Sequence, residues 1–139
     1  MPDYAGDVTA QDAWQILERD PAALLVDVRS EAEWTFVGIP DLSQFGKKPA
    51  LIAWQSFPGM TLNPEFAGKV ESLGLRADAP LLFLCRSGVR SRAAAQTMTA
   101  RGFSQCFNVA GGFEGDLDGA RHRGAMGGWK ASGLPWIQT

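Results

Sequence analysis

Leu81-Leu82-Phe83-Leu84-Cys85-Arg86-Ser87-Gly88-Val89-Arg90-Ser91-Arg92-Ala93-Ala94-Ala95 decides how the rest of the chain is read. The four apolar residues after Pro80 are too short a run for a helix and fit a buried strand. The chain then breaks at Ser87-Gly88 and resumes as an alanine-rich helical pattern that stops at Gly102. A cysteine therefore stands where a buried strand ends, before a tight loop that opens into a helix. In that geometry the free N–H groups of the loop and of the helix's first turn face the space above the sulfur. Arg86 and Arg90 lie in the same loop, and no acid occurs between Asp78 and Glu114 to offset them.

The chemistry expected of such a loop is nucleophilic. Helix N-termini and nearby arginines favour thiolate over thiol, lowering a cysteine's pKa from its ordinary value of about 8.5. The same donors hold an anionic substrate against the sulfur, and an ionised nucleophile needs no separate base. A lone cysteine at a strand end is ordinarily a buried, inert one. The strand, loop and helix around Cys85 argue instead for a reactive thiol.

Working outward, Leu24-Leu25-Val26-Asp27-Val28 reads as a second fully buried strand. Ser30 and Glu33 after it have capping-box spacing for a short helix through Phe36. Asp27 and Arg29 sit where strand ends face a ligand crevice, but local partners at Ser30, Glu31 and Glu33 favour a structural role. Thr9 and Asp12 begin a first helix with Ala13, Ile16 and Leu17 as its apolar stripe, ending near Asp20-Pro21. Gly38 to Lys48 reads as loop, and Ala50 to Trp54 as a strand before the Ser56–Gly59 turn. Asn63-Pro64-Glu65 is a helix start, with Phe66, Val70 and Leu73 as the buried face and Gly74 as the stop. Gln105 to Val109 is a further buried strand. This alternation implies an α/β fold, a parallel sheet of about five strands with helices on both faces.

The cysteine loop resembles the active-site loop of the rhodanese family of sulfurtransferases. Further stretches match that family in the same order. Leu24–Arg29 looks like its first core strand, Glu31-Ala32-Glu33-Trp34 like the turn after it, and Asn108-Val109-Ala110-Gly111-Gly112-Phe113 like the last strand and glycine pair. Trp129-Lys130-Ala131-Ser132-Gly133-Leu134-Pro135 looks like the closing Trp-x-x-x-Gly-Leu-Pro. The resemblance implies a single rhodanese-like domain over residues 1–139. It also implies a persulfide carried on Cys85, taken from a small anionic sulfur donor such as thiosulfate and passed to cyanide, a thiol or a protein. The amides and side chains of Arg86, Ser87, Gly88, Val89 and Arg90 would cradle the sulfur and attract the donor. Asp27, Arg29, Gly111 and Gly112 would be supporting positions.

Cysteine phosphatases and arsenate reductases of related fold carry Cys-x5-Arg, a loop one residue longer that wraps a tetrahedral oxyanion. Here Ser91 stands at that arginine position and the arginine comes one residue earlier, at Arg90. The shorter ring suits a single sulfur atom. A non-catalytic binding module of the same fold is the other alternative, although it has no need of a thiolate. One departure from the family is the segment Gly38-Ile39-Pro40-Asp41, where a Gly-His-Ile-Pro-Gly-Ala pattern is common. It bears on one pocket wall and so on donor preference.

At 139 residues, with 45% hydrophobic and 20% charged residues, the chain fits one globular domain. A domain of this size buries roughly 68–70% of its unfolded surface. A net charge of −2 leaves no footprint for nucleic acid or an anionic membrane. Two cysteines make no secreted disulfide framework, and the amino terminus carries no hydrophobic run of a signal peptide. No apolar stretch reaches the ~20 residues that cross a bilayer, so a cytoplasmic protein is expected. No Cys/His cluster suggests a metal and no glycine-rich phosphate loop suggests a cofactor. Cys106 lies too far along its strand to resolve Cys85. His122, the sole histidine, sits in a basic stretch of the glycine-rich Gly115–Gly128 segment and reads as a loop residue rather than half of a Cys–His dyad. That segment could gate the pocket or meet a partner.

Overall fold

A computed structural model of the chain describes residues 4–56, 61–115 and 128–138. The order is β1 (Gly6–Val8), α1 (Ala10–Arg19), β2 (Leu24–Asp27), α2 (Glu31–Val37), β3 (Ile39–Pro40), a 3-10 turn (Ser43–Phe45), β4 (Ala50–Leu51), β5 (Gln55–Ser56), β6 (Thr61–Leu62), α3 (Phe66–Glu71), β7 (Leu81–Leu84), α4 (Val89–Ala100), β8 (Cys106–Val109), α5 (Gly128–Ala131) and β9 (Trp136–Ile137).

β7 is the middle strand of a five-stranded sheet in the order β1-β8-β7-β2-β4. Every pairing in that sheet is parallel. Alternate residues of β7 serve opposite faces, as a strand's two-residue period requires. Leu81 and Phe83 join Val26, Phe66, Val70, Ala94, Ala95 and Met98 in a core under α3 and α4. Leu82 and Leu84 join Ala13, Leu17, Leu25, Val109, Phe113 and Trp129 in a second core under α1 and α5. The expected α/β fold, with helices on both faces of a parallel sheet, is the one observed.

Local chemistry explains most boundaries. Thr9 caps α1 by accepting from the Asp12 amide at 3.0 Å. Ser30 and Glu33 form the reciprocal capping box that opens α2. α4 buries Ser91, Ala94, Ala95 and Met98, spaced i, i+3, i+4, i+7, so one stripe of the helix lies on the sheet.

Three expectations need correction. α3 starts at Phe66 rather than at Asn63-Pro64-Glu65. Asn63 donates from Nδ2 to the Ala53 carbonyl at 3.0 Å while its Oδ1 accepts from the Glu65 amide at 3.0 Å, so the side chain makes a turn that delays the helix. Leu73 lies beyond the helix and is exposed. The strand expected over Ala50–Trp54 shrinks to Ala50–Leu51, although the Ile52 and Trp54 amides still reach the Asp27 and Val28 carbonyls at 3.1 and 3.0 Å. Gly38 to Lys48 holds β3, which pairs antiparallel with β9: Ile39 with Ile137, Pro40 with Trp136.

Candidate active site

Cys85 is the first residue beyond β7, at the C-terminal edge of the sheet where open α/β folds place their ligands. A three-residue loop, Arg86-Ser87-Gly88, leads from it into α4. The loop stays this tight because two glycines remove a side chain where backbones meet. Gly88 has φ +113°, and a Cβ there would be driven into the Ala110 carbonyl. Gly112 has φ +64°, and a Cβ there would collide with the Arg86 carbonyl and the Ser87 amide. Both conformations are ones that glycine alone adopts readily. The loop is also backed by hydrogen bonds from the Phe113 amide to the Cys85 carbonyl at 2.7 Å and from the Glu114 amide to the Arg86 carbonyl at 3.0 Å. Gly112 thus supports the loop through backbone contact. Gly111 stands beside it, its carbonyl near Gly128.

The sulfur accepts a hydrogen bond from the Gly88 amide at 3.1 Å and lies 3.2 Å from the Ser91 hydroxyl. It is deeply set: Cys85 is only 2% exposed. A residue whose hydroxyl touches the sulfur was legible only as a departure from the phosphatase pattern. The signal for it was the stripe Ser91, Ala94, Ala95, Met98, which turns that serine toward the sheet. Behind it, Ser91 donates to Asn108 Oδ1 at 2.5 Å and Asn108 donates to Asp7 Oδ1 at 2.9 Å.

The two loop arginines differ. Arg86 is exposed and has no ion pair among the described residues. Arg90 is half-buried and clamped in a fork by Glu33, Nη1 to Oε1 at 2.7 Å and Nη2 to Oε2 at 2.9 Å. The expectation of two unopposed arginines therefore fails for Arg90, because an acid 57 positions earlier folds onto it. Burial alone would raise the Glu33 carboxyl, but hydrogen bonds from Arg90 and from the Ser30 amide outweigh it and hold the group at about 2. Val89 projects into solvent at 77% exposure, and Ser87 is half-buried.

Asp27 and Arg29 have no exposed surface and meet in a bidentate pair, Nε to Oδ1 at 2.9 Å and Nη2 to Oδ2 at 2.7 Å. Arg29 also donates to the Gly38 carbonyl at 2.7 Å and stacks 4.2 Å from the Phe113 ring centre. The local partners expected at Ser30, Glu31 and Glu33 are not the ones used: Arg29 is held by Asp27, Gly38 and Phe113, with its Nη1 buried and without a hydrogen-bond partner among the described residues.

Cys106 pairs in register with Leu81, four residues short of Cys85, and is fully buried. Burial pushes its thiol up, with slight opposition from Thr99. Both cysteines are free. His122 and most of the Gly115–Gly128 segment lie outside the described residues. Among the described residues no helix is long and apolar enough to cross a membrane, and no group of three or more His, Cys, Asp or Glu could hold a metal.

Comparison with known proteins bears on this arrangement. A crystal structure of Rv0390 from M. tuberculosis superposes with a TM-score of 0.90 at 48% identity, covering 98% of this chain and 99% of that one. An uncharacterized protein of Rickettsia conorii is 36% identical over 94% of the chain and 95% of its own length. The chloroplast protein THYLAKOID RHODANESE-LIKE of Oryza sativa is 32% identical over 94% of the chain, which spans 25% of it. The thiosulfate sulfurtransferase GlpE of Actinobacillus pleuropneumoniae is 23% identical over the whole chain and 98% of its length. The family model described as the STR4 middle domain matches residues 5–139. With that match and its five-stranded parallel sheet, the chain belongs to the STR4 middle-domain family of rhodanese-like domains.

Proposed function

We propose that the protein is a sulfurtransferase in which Cys85 carries the transferred sulfur. The observation that carries this reading is the cysteine at the sheet's C-terminal edge, its sulfur 3.1 Å from the Gly88 amide in a loop too short for phosphate. The likeness to a thiosulfate sulfurtransferase over the whole chain supports it. In the first step the Cys85 thiolate attacks the outer sulfur of thiosulfate. The new Sγ–S bond forms as the donor's S–S bond breaks, and sulfite leaves with the electron pair. In the second step a thiol, a protein cysteine or cyanide attacks the outer sulfur, and the Cys85 thiolate is the leaving group. The Gly88 amide, already directed at the sulfur, helps to stabilise the anionic persulfide. Arg86, which has no ion pair among the described residues, attracts the anionic donor.

A phosphatase or arsenate reductase is disfavoured because Arg90, the cation nearest that motif's arginine position, has both terminal nitrogens on Glu33. A docking module draws support from the 2% exposure of Cys85, since a donor must displace its cover to reach the sulfur. One measurement separates these readings. After incubation with thiosulfate, the intact protein should gain about 32 Da, one sulfur atom. The gain should vanish on adding cyanide and be absent in Cys85→Ser. No gain at any thiosulfate concentration removes the sulfurtransferase reading, and release of phosphate from an aryl phosphate would replace it.

A further inference from the structure

The Ser91 hydroxyl lies between two groups that compete for its one hydrogen. Cys85 Sγ is 3.2 Å away on one side and Asn108 Oδ1 is 2.5 Å away on the other. Asn108 is fully buried, and its amide nitrogen donates to Asp7 Oδ1 at 2.9 Å. Asp7 is paired in register with Asn108 across β1 and β8 and lies at the surface. An ionised carboxylate only accepts hydrogen bonds. Asp7 therefore dictates which end of the Asn108 amide turns inward, Nδ2 toward the carboxylate and Oδ1 toward Ser91. A carbonyl oxygen also only accepts, so Ser91 directs its hydrogen at Asn108. What it turns toward the sulfur is a lone pair.

That arrangement matches a protonated thiol, whose S–H can donate to Ser91. It does not match a thiolate, which needs the Ser91 hydrogen for itself. Ionising Cys85 means either facing a lone pair or rotating the hydroxyl and leaving a buried carbonyl oxygen without a donor. Either outcome is unfavourable. We propose that Asp7, through Asn108, withholds the Ser91 hydrogen from Cys85, making Ser91, Asn108 and Asp7 positioning residues that restrain ionisation of the nucleophile, with the Asp7–Asn108 contact joining positions 101 residues apart in sequence. This deepens the reading of Cys85 as the reacting group and rests on it.

Among the described residues, the other charges around the sulfur are Arg86 in its loop, Arg90 on α4 with Glu33 of α2, the Asp27–Arg29 pair at the end of β2 and Glu114 in the segment behind the loop. Asp7 itself accepts from Tyr4 Oη at 2.8 Å and lies near Arg92. The hydrogen bond from Asn108, opposed by burial and helped by Tyr4 and Arg92, holds the Asp7 carboxyl below its ordinary range. It is thus ionised, and the amide locked, throughout the neutral range.

The test is the pH dependence of iodoacetamide alkylation at Cys85, followed by mass spectrometry of its peptide at constant ionic strength. Asp7→Ala lets the Asn108 amide turn over, donate to Ser91 and free the hydroxyl hydrogen for the sulfur. The alkylation midpoint is expected to fall by about half to one pH unit, the scale of one hydrogen bond. In a Ser91→Ala background the same Asp7 change should move the midpoint by less than a third of that. Asp7→Leu, which fills similar space and offers no acceptor, takes its place if the alanine variant is unfolded. An unmoved midpoint overturns the proposal. So does a shift of equal size in both backgrounds, because loss of a distant negative charge acts without Ser91. Alkylation needs no sulfur donor, so a failed mass gain with thiosulfate sinks the sulfur-transfer reading alone.

Discussion

Arg86 and Arg90 flank one sulfur, yet only one has charge to offer a ligand. Arg90's terminal nitrogens lie on Glu33, and both side chains are largely buried, at 17% and 19% exposure. Removing the arginine strands a carboxylate away from water, a costly loss. Arg86 is solvated and has no ion pair among the described residues, so removing it costs the fold little. The two alanine variants should therefore separate cleanly. Arg86→Ala is expected to raise KM for thiosulfate about three- to tenfold, the scale of one solvent-screened charge contact, with the melting temperature unchanged. Arg90→Ala is expected to lose about 1–3 kcal/mol of folding stability. Steady-state kinetics beside thermal unfolding checks both, and equal melting temperatures for the two variants would contradict the assignment. Arg90 was readable in the sequence as a loop cation. Its partner was not, because a capping-box glutamate gives no sign that it will also reach a helix 57 residues on.

At the level of elements, α2 couples its own N-terminus to the cysteine loop through one carboxylate. Glu33 Oε1 accepts from the Ser30 amide at 3.1 Å and from Arg90 at 2.7 Å. Its carboxyl sits at about 2 in the folded chain against an ordinary 4.5. A carboxyl depressed by folding contributes stability that is full above the unfolded value and is lost as pH falls through the folded one. The window is therefore pH 4.5 down to about 2. Shift and linkage together put the contribution at about 3 kcal/mol at neutral pH, as an upper figure. Glu33→Gln keeps the cap and removes the charge, so it should destabilise the protein by about 1–3 kcal/mol at pH 7. Its gap from the parent should close as pH drops toward 2. Urea unfolding at pH 7, 4 and 2.5 measures this, and a gap constant across the three would show that the pair contributes no ionic stability.

Across the whole molecule, long-period patterns were legible and short pairings were not. The apolar runs at Leu24–Val28 and Leu81–Leu84 announce burial within one segment; the second is buried throughout and the first from Leu25 onward. β3 and β9 are two residues each and exist only because they meet, so neither segment carries a period to read. At the site, Cys85 and Gly88 were visible in local grammar, and Gly112 only through the family resemblance. Asp7 and Asn108 meet through the β1–β8 register and Ser91 reaches Asn108 from α4, meetings that no local pattern encodes. The β3–β9 pair has a consequence for the site. The chain's end crosses α2's exit: Lys130 Nζ donates to the Val37 carbonyl at 3.0 Å and Gln138 donates to the Phe36 carbonyl at 2.8 Å. Trp136 locks this crossing, with Lys130 Nζ 3.9 Å from its ring centre and the Phe113 ring edge-on at 6.2 Å. Phe113 in turn supports Arg29 on the β2 side and follows the glycine that backs the cysteine loop. α2 is thus held from two ends, by Trp136 behind and by Arg90 in front. Trp136→Ala should remove about 1–2 kcal/mol of cation–π and aromatic contact and lower the melting temperature by about 3–8 °C. Amides of α2 should exchange about five- to twentyfold faster while those of α3, packed in the core on the other face of the sheet, keep their protection. Uniform acceleration across both helices would mean that the chain's end stabilises the fold as a whole rather than fastening the helix that carries Glu33.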